Sequence, residues 1–218
     1  TTTLRALQKY LEAEYLVISL DFQMVSFANL ASETEFVRVF AKSLYRVINS
    51  MPIVSDAVKA TLATFFEDND KKQYLFDLFA ELSNWCGHSA KPVVLIIDEV
   101  DNASNSQVFM DFLAQLRAYY LQRDVTPTFQ SVILAGVYDI KNVKVKIRPD
   151  EEHKINSPWN IATDFNVNMS FSAEDISGML MEYEADHKTG MNIQEVSAII
   201  YDYTSGYPFL VSRICKLL

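Results

Sequence analysis

Glycine is scarce in this sequence. The five glycines are Gly87, Gly136, Gly178, Gly190 and Gly206, so none lies within the first 86 residues. A loop that wraps around phosphate groups needs several closely spaced glycines, because only glycine allows the backbone to approach a phosphate so closely. The 218 residues therefore contain no glycine-rich phosphate-binding loop.

Cysteine, histidine and long apolar runs are scarce as well. Cys86 and Cys215 lie far apart and have no C-x-x-C spacing, which argues against a disulfide framework or a zinc cluster. The three histidines are scattered, and we interpret them as surface or structural residues. No apolar run is long enough to cross a bilayer, and no secretory signal peptide is recognisable. We therefore expect a cytoplasmic protein without membrane association.

Positive charge is in deficit, since the net charge is -9 and the sequence pI is near 4.8. Binding to the nucleic-acid backbone relies on Lys and Arg, so we do not expect nucleic acid to be a partner of this domain. One local basic stretch consists of Lys141, Lys144, Lys146 and Arg148. Acidic residues follow it at once, which favours a solvated hairpin or loop over a set of basic fingers that reach into a neighbouring subunit.

Apolar periodicity predicts alternating helices and strands in the first part of the chain. A helix is expected over residues 2–14 and a buried strand over 15–22. Ser32 and Glu35 have the spacing of a capping box, which predicts that a helix begins there. Further helices are expected over 56–66 and 71–86, with Gly87 as a C-cap. The predicted inner side of the helix after Ser32 consists of Phe36, Val37, Phe40, Leu44 and Val47.

The second part of the chain predicts two more strands and then a helical segment. Five consecutive aliphatic residues, Val93 to Ile97, are typical of a central strand that is covered on both faces. A helix over 105–123, a strand over 130–135, an irregular segment over 143–163 and a last strand over 164–171 follow. The predicted inner stripe of the helix over 105–123 consists of Phe109, Phe112, Leu113, Leu116 and Tyr120.

From residue 172 onwards only helices are expected. Helix starts are predicted at Ser172, at Asn192 and just after Gly206. The fold class that results is α/β, with a parallel sheet flanked by helices and a small C-terminal helical lid. The predicted domains are a core over residues 1–171 and a helical lid over 172–218, and we expect further sequence beyond the chain.

The most informative motif is the pair of acids, Asp98 and Glu99, that ends the aliphatic strand. Strands of a parallel sheet deliver such residues to the carboxyl edge, where α/β proteins bind ligands. One carboxylate can hold Mg²⁺, and its neighbour can orient or activate an attacking water. The alternative is that Asp98 or Asp101 only caps the following helix.

At this point the sequence resembles a known class of ATPases. Val93-Val-Leu-Ile-Ile-Asp98-Glu99 resembles the Walker B motif of additional-strand P-loop ATPases, which include the AAA and STAND families. Thr1-Thr2-Thr3-Leu4 resembles the residues after the lysine of their phosphate loop, and Gly206-Tyr207-Pro208 resembles the GxP motif of their lid. The resemblance covers essentially the whole chain and implies ATP and Mg²⁺ as ligands.

The resemblance also implies roles for residues at both ends of the chain. The phosphate loop is expected just upstream of Thr1, whose hydroxyl would then bind Mg²⁺, with Thr2 in the first helical turn. Simple helix capping is the alternative for both threonines. Gly206 and Pro208 would pack against the base of the nucleotide. Arg213 would reach the nucleotide phosphates, and the alternative is that it is only a surface arginine. After the strand over 130–135, the resembling families place a polar sensor residue, usually Asn, Ser or Thr, near the γ-phosphate. This sequence has Tyr138 and Asp139 there, and Asp139 fits a turn equally well.

Three functions remain open at the level of sequence. The first is an ATP-binding and ATP-hydrolysing switch domain, in which Asp98 positions Mg²⁺ and Glu99 activates water. Its partners would be other proteins or a downstream effector domain, with a nucleotide-dependent oligomer as a possible assembly. The second is a non-catalytic scaffold of the same fold that works through protein contacts. The third is a different α/β enzyme whose paired acids hold a metal without nucleotide.

Overall fold

A three-stranded parallel sheet organises the first part of the chain. The computed structural model describes residues 2–104, 106–136, 163 and 168–217. Within them the strands are β1 (Leu16–Asp21), β2 (Val93–Asp98) and β3 (Ser131–Leu134), in the order β1-β2-β3. Leu16 pairs with Val93 and Asp21 with Asp98, while Leu95 pairs with Val132. The α/β class and the central position of the aliphatic strand are confirmed, and the fold is that of a P-loop NTPase-like domain.

Helices α1 to α5 connect and cover the strands of this first unit. They are α1 (Thr2–Leu11), α2 (Glu33–Ile48), α3 (Asp56–Glu67), α4 (Leu75–His88) and α5 (Gln107–Leu121). Short 3₁₀ turns follow β1 at Phe22–Met24 and Phe27–Leu30, and another follows β2 at Val100–Asn102. Parallel neighbours need a crossover connection of a dozen or more residues, and the chain between Asp21 and Val93 provides one for β1 and β2.

Side chains alternate along each strand, so the two faces of the sheet bury different sets of residues. Ile18, Leu95 and Ile97 belong to the large core, where α2, α4 and α5 supply many aromatic side chains. Six phenylalanines of this core stack or meet edge to face at centroid distances of 4.9 to 6.4 Å: Phe22, Phe36, Phe40, Phe79, Phe109 and Phe112. The opposite face buries Val17, Val94 and Ile96, with Leu4 and Leu11 of α1 packed against them.

The described residues of a second compact unit form three helices, α6 (Ala173–His187), α7 (Ile193–Thr204) and α8 (Pro208–Cys215). The chain divides into compact units between Ala162 and Thr163. The core of the second unit consists of Ile176, Leu180, Ile200 and Val211, all at most 3% exposed. Helix starts follow the predictions, because Ser172 and Asp175 form a complete capping box and Pro208 occupies the first turn of α8.

Several local predictions are wrong. Gly87 lies inside α4, which continues to His88, so it is not a C-cap. A Cβ at this position would make a tight contact with Pro127, whose Cγ would lie 3.0 Å away. The capping box at Ser32 is only half formed: Ser32 Oγ accepts the Glu35 N–H, but the Glu35 carboxylate pairs with Arg38 at 2.9 Å.

The inner stripe of α5 also differs from the prediction at its C-terminal end. Phe109, Phe112 and Leu113 are buried, but Tyr120 is 38% exposed and lies under the guanidinium of Arg123. Tyr119 takes its place and packs against Phe79 at a centroid distance of 5.4 Å. The predicted segment over 143–163 lies outside the described residues except for residue 163. Of the predicted strand over 164–171 only 168–171 are described, and these are not in a strand.

Candidate functional site

The carboxyl edge of the sheet brings acidic residues of two neighbouring strands together. Asp98 ends β2, and the parallel register places it beside Asp21, which ends β1. Asp21 Oδ1 accepts the N–H of Gln23 at 2.8 Å and caps the 3₁₀ turn that follows. Asp21 was not among the predicted site residues, although the signal for it was present: it is an acid at the end of an apolar run, like Asp98.

Asp98 and Glu99 form a tight local arrangement at the end of the central strand. Asp98 Oδ1 accepts the N–H of Glu99 at 3.0 Å. Glu99 has φ 58° and ψ 39°, which is the left-handed region that residues with a Cβ rarely adopt. Such outliers cluster at functional sites, because a strained backbone persists only where its surroundings determine it. Lys188 and Ser205 adopt the same backbone region as the C-cap residues of α6 and α7, whereas Glu99 adopts it at the end of a strand.

Neither aspartate of the loop is the N-cap residue of the next helix. α5 begins at Gln107 with Ser106 as its N-cap residue, five positions after Asp101. The short turn Val100–Asn102 lies between, and Glu99 is its N-cap residue without a side-chain hydrogen bond. The alternative that Asp98 or Asp101 caps the long helix therefore does not describe this structure.

The loop after β2 is tied to both neighbouring strands. The N–H of Val100 donates to the carbonyl of Ala135 at 3.1 Å, and Ala135 in turn donates to the carbonyl of Ile97 at 2.9 Å. On the other side, Asn102 Nδ2 donates to the carbonyl of Phe22 at 3.4 Å. Val100 itself is fully buried. These hydrogen bonds and the burial of Val100 anchor the loop over residues 98–102 to both neighbouring strands.

The carboxylates at this edge are of a kind that suits Mg²⁺. Asp98 and Glu99 are both half-buried residues. Among the described ranges, no three His, Cys, Asp or Glu residues converge as a protein-only metal site. Mg²⁺ typically keeps several waters and uses one or two carboxylates together with substrate phosphates, so the donor set fits Mg²⁺ held together with a nucleotide.

The remaining predicted site residues lie elsewhere in the chain. Thr2 is the first residue of α1 and is exposed, whereas Thr1 lies outside the described residues. Tyr138, Asp139 and the basic stretch over 141–148 also lie outside them.

Gly206, Pro208 and Arg213 belong to the second unit. Gly206 is buried with φ +74°, and a Cβ there would meet the carbonyl oxygen of Phe171 at 1.9 Å. Local packing thus requires glycine at this position without any ligand. Pro208 is half-buried in the first turn of α8, and Arg213 is exposed in its last turn.

A small cleft lies between α3 and α4. Its volume is about 90 Å³, and Val58, Leu62 and Trp85 contribute to its lining. Pockets for drug-sized ligands have roughly 300–1,000 Å³, so this cleft is too small for a nucleotide. Its lining comes from two helices and contains none of the predicted site residues.

The comparisons with known proteins agree with this geometry. A family model described as an AAA-like domain matches residues 2–217. The chain therefore belongs to the AAA-like domain family, a family of nucleotide-binding P-loop domains. No curated protein sequence matches the chain. In the described part of the chain, no helix is both long enough and apolar enough to span a membrane.

Proposed function

We propose that this chain is an ATP-binding and ATP-hydrolysing switch domain that requires Mg²⁺. The observation that carries the proposal is the left-handed backbone of Glu99, directly after Asp98 at the end of the central strand. Together with membership of the AAA-like family, this supports a catalytic role for the acidic pair. The proposal includes a cytoplasmic location and partner proteins or effector domains that respond to the nucleotide state.

In this proposal the two acids have different tasks. Asp98 holds Mg²⁺, directly or through water, and Mg²⁺ supplies neutralisation of charge on the phosphates. Glu99 orients the attacking water and accepts its proton, which requires a carboxylate at a fixed position. The left-handed conformation of Glu99 and the hydrogen bond from its N–H to the Asp98 carboxylate support this division of roles.

Residues outside the acidic loop complete the proposed site. Thr1 would bind Mg²⁺ and Thr2 would lie beside the phosphates at the start of α1. Gly206 and Pro208 would contact the base, and Arg213 would reach the phosphates. For Gly206, packing against Phe171 accounts for the glycine equally well, so Pro208 and Arg213 are the more informative positions to test.

The second candidate function is a non-catalytic scaffold of the same fold, which would act through protein contacts. It predicts little or no binding of ATP.

The test is ATP turnover by the natural protein that carries this sequence, compared with its Glu99→Gln variant. We expect Glu99→Gln to retain Mg²⁺-ATP binding and to lose at least about 100-fold in turnover, as is typical when a general base is removed. Glu67→Gln, at the exposed C-terminal end of α3, is the matched control and should keep full turnover. Equal turnover in Glu99→Gln and wild type would reject the role of Glu99, and absence of nucleotide binding in all variants would favour the scaffold.

A further inference from the structure

Asp101 lies directly against Gly136. A Cβ placed on Gly136 would lie 2.6 Å from Oδ2, 2.9 Å from Cγ and 3.0 Å from Oδ1 of Asp101. The whole carboxylate thus rests on the one residue type that leaves room for it. This contact joins the turn after β2 to the second residue after the end of β3, at the same edge of the sheet as Asp98 and Glu99.

The contact completes a set of anchors around Glu99. On its N-terminal side, Asp98 is the last residue of β2 and pairs with β1. On its C-terminal side, Val100 is buried and donates its N–H to Ala135, the residue directly before Gly136. Asp101 therefore adds a side-chain anchor next to a main-chain anchor, and both hold the chain after Glu99 against the end of β3.

These anchors explain how Glu99 can remain in the left-handed region. A residue with a Cβ is disfavoured in that conformation, so its surroundings must stabilise it. We propose that Asp101 is a positioning residue: its carboxylate, resting on Gly136, holds Glu99 in the left-handed conformation and so fixes the direction of the Glu99 side chain. The catalytic consequence rests on the proposed ATPase function, whereas the coupling between Asp101 and Glu99 does not.

The coupling can be measured in folding experiments that need no ATP. Trp85 is buried in α4, and a Trp159→Phe background leaves it as the only tryptophan and hence as the reporter of unfolding. In this background Glu99→Gly should raise the folding equilibrium constant about fivefold, because glycine adopts the left-handed region without strain. In an Asp101→Ala background the same change should gain less than about twofold, because Glu99 is then already relaxed.

Three further variants separate the position of the Asp101 carboxylate from its charge and from general destabilisation. Gly136→Ala keeps the carboxylate but displaces it, so it should abolish the gain from Glu99→Gly as Asp101→Ala does. Asp101→Asn keeps the shape and should preserve the gain. Asp111→Ala removes an exposed acid of α5 and should leave the fivefold gain intact. A gain from Glu99→Gly that is the same in the Asp101→Ala, Gly136→Ala and Asp111→Ala backgrounds would overturn the proposal.

Turnover by the natural protein tests the catalytic consequence. Asp101→Ala should lower kcat by roughly tenfold or more without a change in KM for ATP, because misplacement of a catalytic group affects the transition state more than binding. Asp101→Asn should restore most of kcat. Coupling in the folding cycle together with an unchanged kcat would overturn the positioning role in the reaction. Absence of turnover in the unsubstituted protein would reject the proposed function, and the folding cycle would still decide whether Asp101 holds Glu99.

Discussion

Glu33 Oε1 accepts a hydrogen bond of 2.8 Å from the main-chain N–H of Leu75, 42 positions further along the chain. Leu75 is the first residue of α4, and Tyr74 before it provides no side-chain cap. A carboxylate from the first turn of α2 therefore satisfies one of the free N–H groups at the start of α4. This cap also explains why α4 begins four residues later than the apolar pattern predicts, since a tertiary contact fixes its first residue.

The first prediction concerns this cap. Glu33→Ala should lower the free energy of unfolding by about 1 kcal/mol, the usual cost of a lost N-cap acceptor. Glu33→Gln keeps an oxygen acceptor in the same place and should lose clearly less. Urea denaturation in the Trp159→Phe background, followed by Trp85 fluorescence, measures both values, and equal losses in the two variants would show that the acceptor oxygen is not what stabilises α4.

The second prediction concerns Arg38, which gathers a loop around one guanidinium nitrogen. Its Nη2 donates to the carbonyls of Asp68, Asn69 and Lys71, and the first and last of these bonds measure 3.1 and 2.8 Å. The Arg38 side chain is only 16% exposed, whereas Asp68, Asn69 and Lys71 are exposed residues. The loop between α3 and α4 thus depends on a single cation from α2.

Replacement of Arg38 should be costly whatever the charge of the new side chain. Arg38→Met should destabilise the protein by about 2–3 kcal/mol, because carbonyls that accept from a charged donor lose it. Arg38→Lys keeps the charge but not the planar fork, and it should recover less than half of that loss. Chemical denaturation gives both values. Full recovery in Arg38→Lys would show that charge alone holds the loop.

Local patterns predicted the elements of the fold, and distant contacts set the details that they missed. The strand Val93 to Ile97 was predictable because five consecutive aliphatic residues are typical of a strand buried on both faces. Helical periodicity could not decide between Tyr119 and Tyr120, since both are near the edge of the apolar stripe and the choice depends on Phe79. Gly87 fitted the pattern of a C-cap, but it lies inside α4, where a Cβ would make a tight contact with Pro127, 40 positions away.

The candidate site was predictable to a similar extent. The identities of Asp98 and Glu99 and their place at the strand end follow from the sequence, because an aliphatic run with terminal acids directs them to the carboxyl edge. The left-handed backbone of Glu99 and the contact between Asp101 and Gly136 have no local signature. Both depend on the pairing of β2 with β3, which brings Ala135 and Gly136 beside the acidic loop.

The third prediction compares two glycines of the second unit. Gly206→Ala should destabilise this unit by more than about 3 kcal/mol, because the new Cβ would meet main-chain atoms of Phe171 in addition to the strain at positive φ. Gly178→Ala lies within α6 with nothing within 4 Å of the new Cβ, so it should stabilise the unit by about 0.5–1 kcal/mol. Thermal unfolding followed by circular dichroism distinguishes the two.

Gly190→Ala provides the matched control for backbone strain. Gly190 has φ +75° and, unlike Gly206, has open space around the position of a Cβ. Its replacement should therefore cost only the strain, about 1 kcal/mol. If Gly206→Ala costs no more than Gly190→Ala, the contact with Phe171 is not what requires glycine at position 206.

The last prediction is a pH dependence of the second unit. The Ser172 N–H donates a hydrogen bond to the Asp175 carboxylate, and the Ser172 hydroxyl accepts one from the Asp175 N–H. The contact with the Ser172 N–H, followed by that with the Ser172 side chain, holds the pKa of Asp175 below its ordinary value. The Thr189 hydroxyl, followed by the Gly190 N–H, likewise lowers the pKa of Glu184 at the end of α6. Both carboxylates are therefore more acidic in the folded state than in the unfolded state.

A lowered folded pKa fixes the direction of the effect. The stabilisation by Asp175 and Glu184 is fully present above the ordinary carboxyl pKa of about 4, and it is lost as the pH falls through the lower folded values. The midpoint temperature of thermal unfolding of this unit should therefore decrease as the pH is lowered below about 4. Glu184→Gln and Asp175→Asn should each reduce that dependence, whereas Glu174→Gln, an exposed neighbour in the first turn of α6, should leave it unchanged. A dependence that persists undiminished in the Glu184→Gln, Asp175→Asn double variant would show that other carboxylates control the acid stability of the unit.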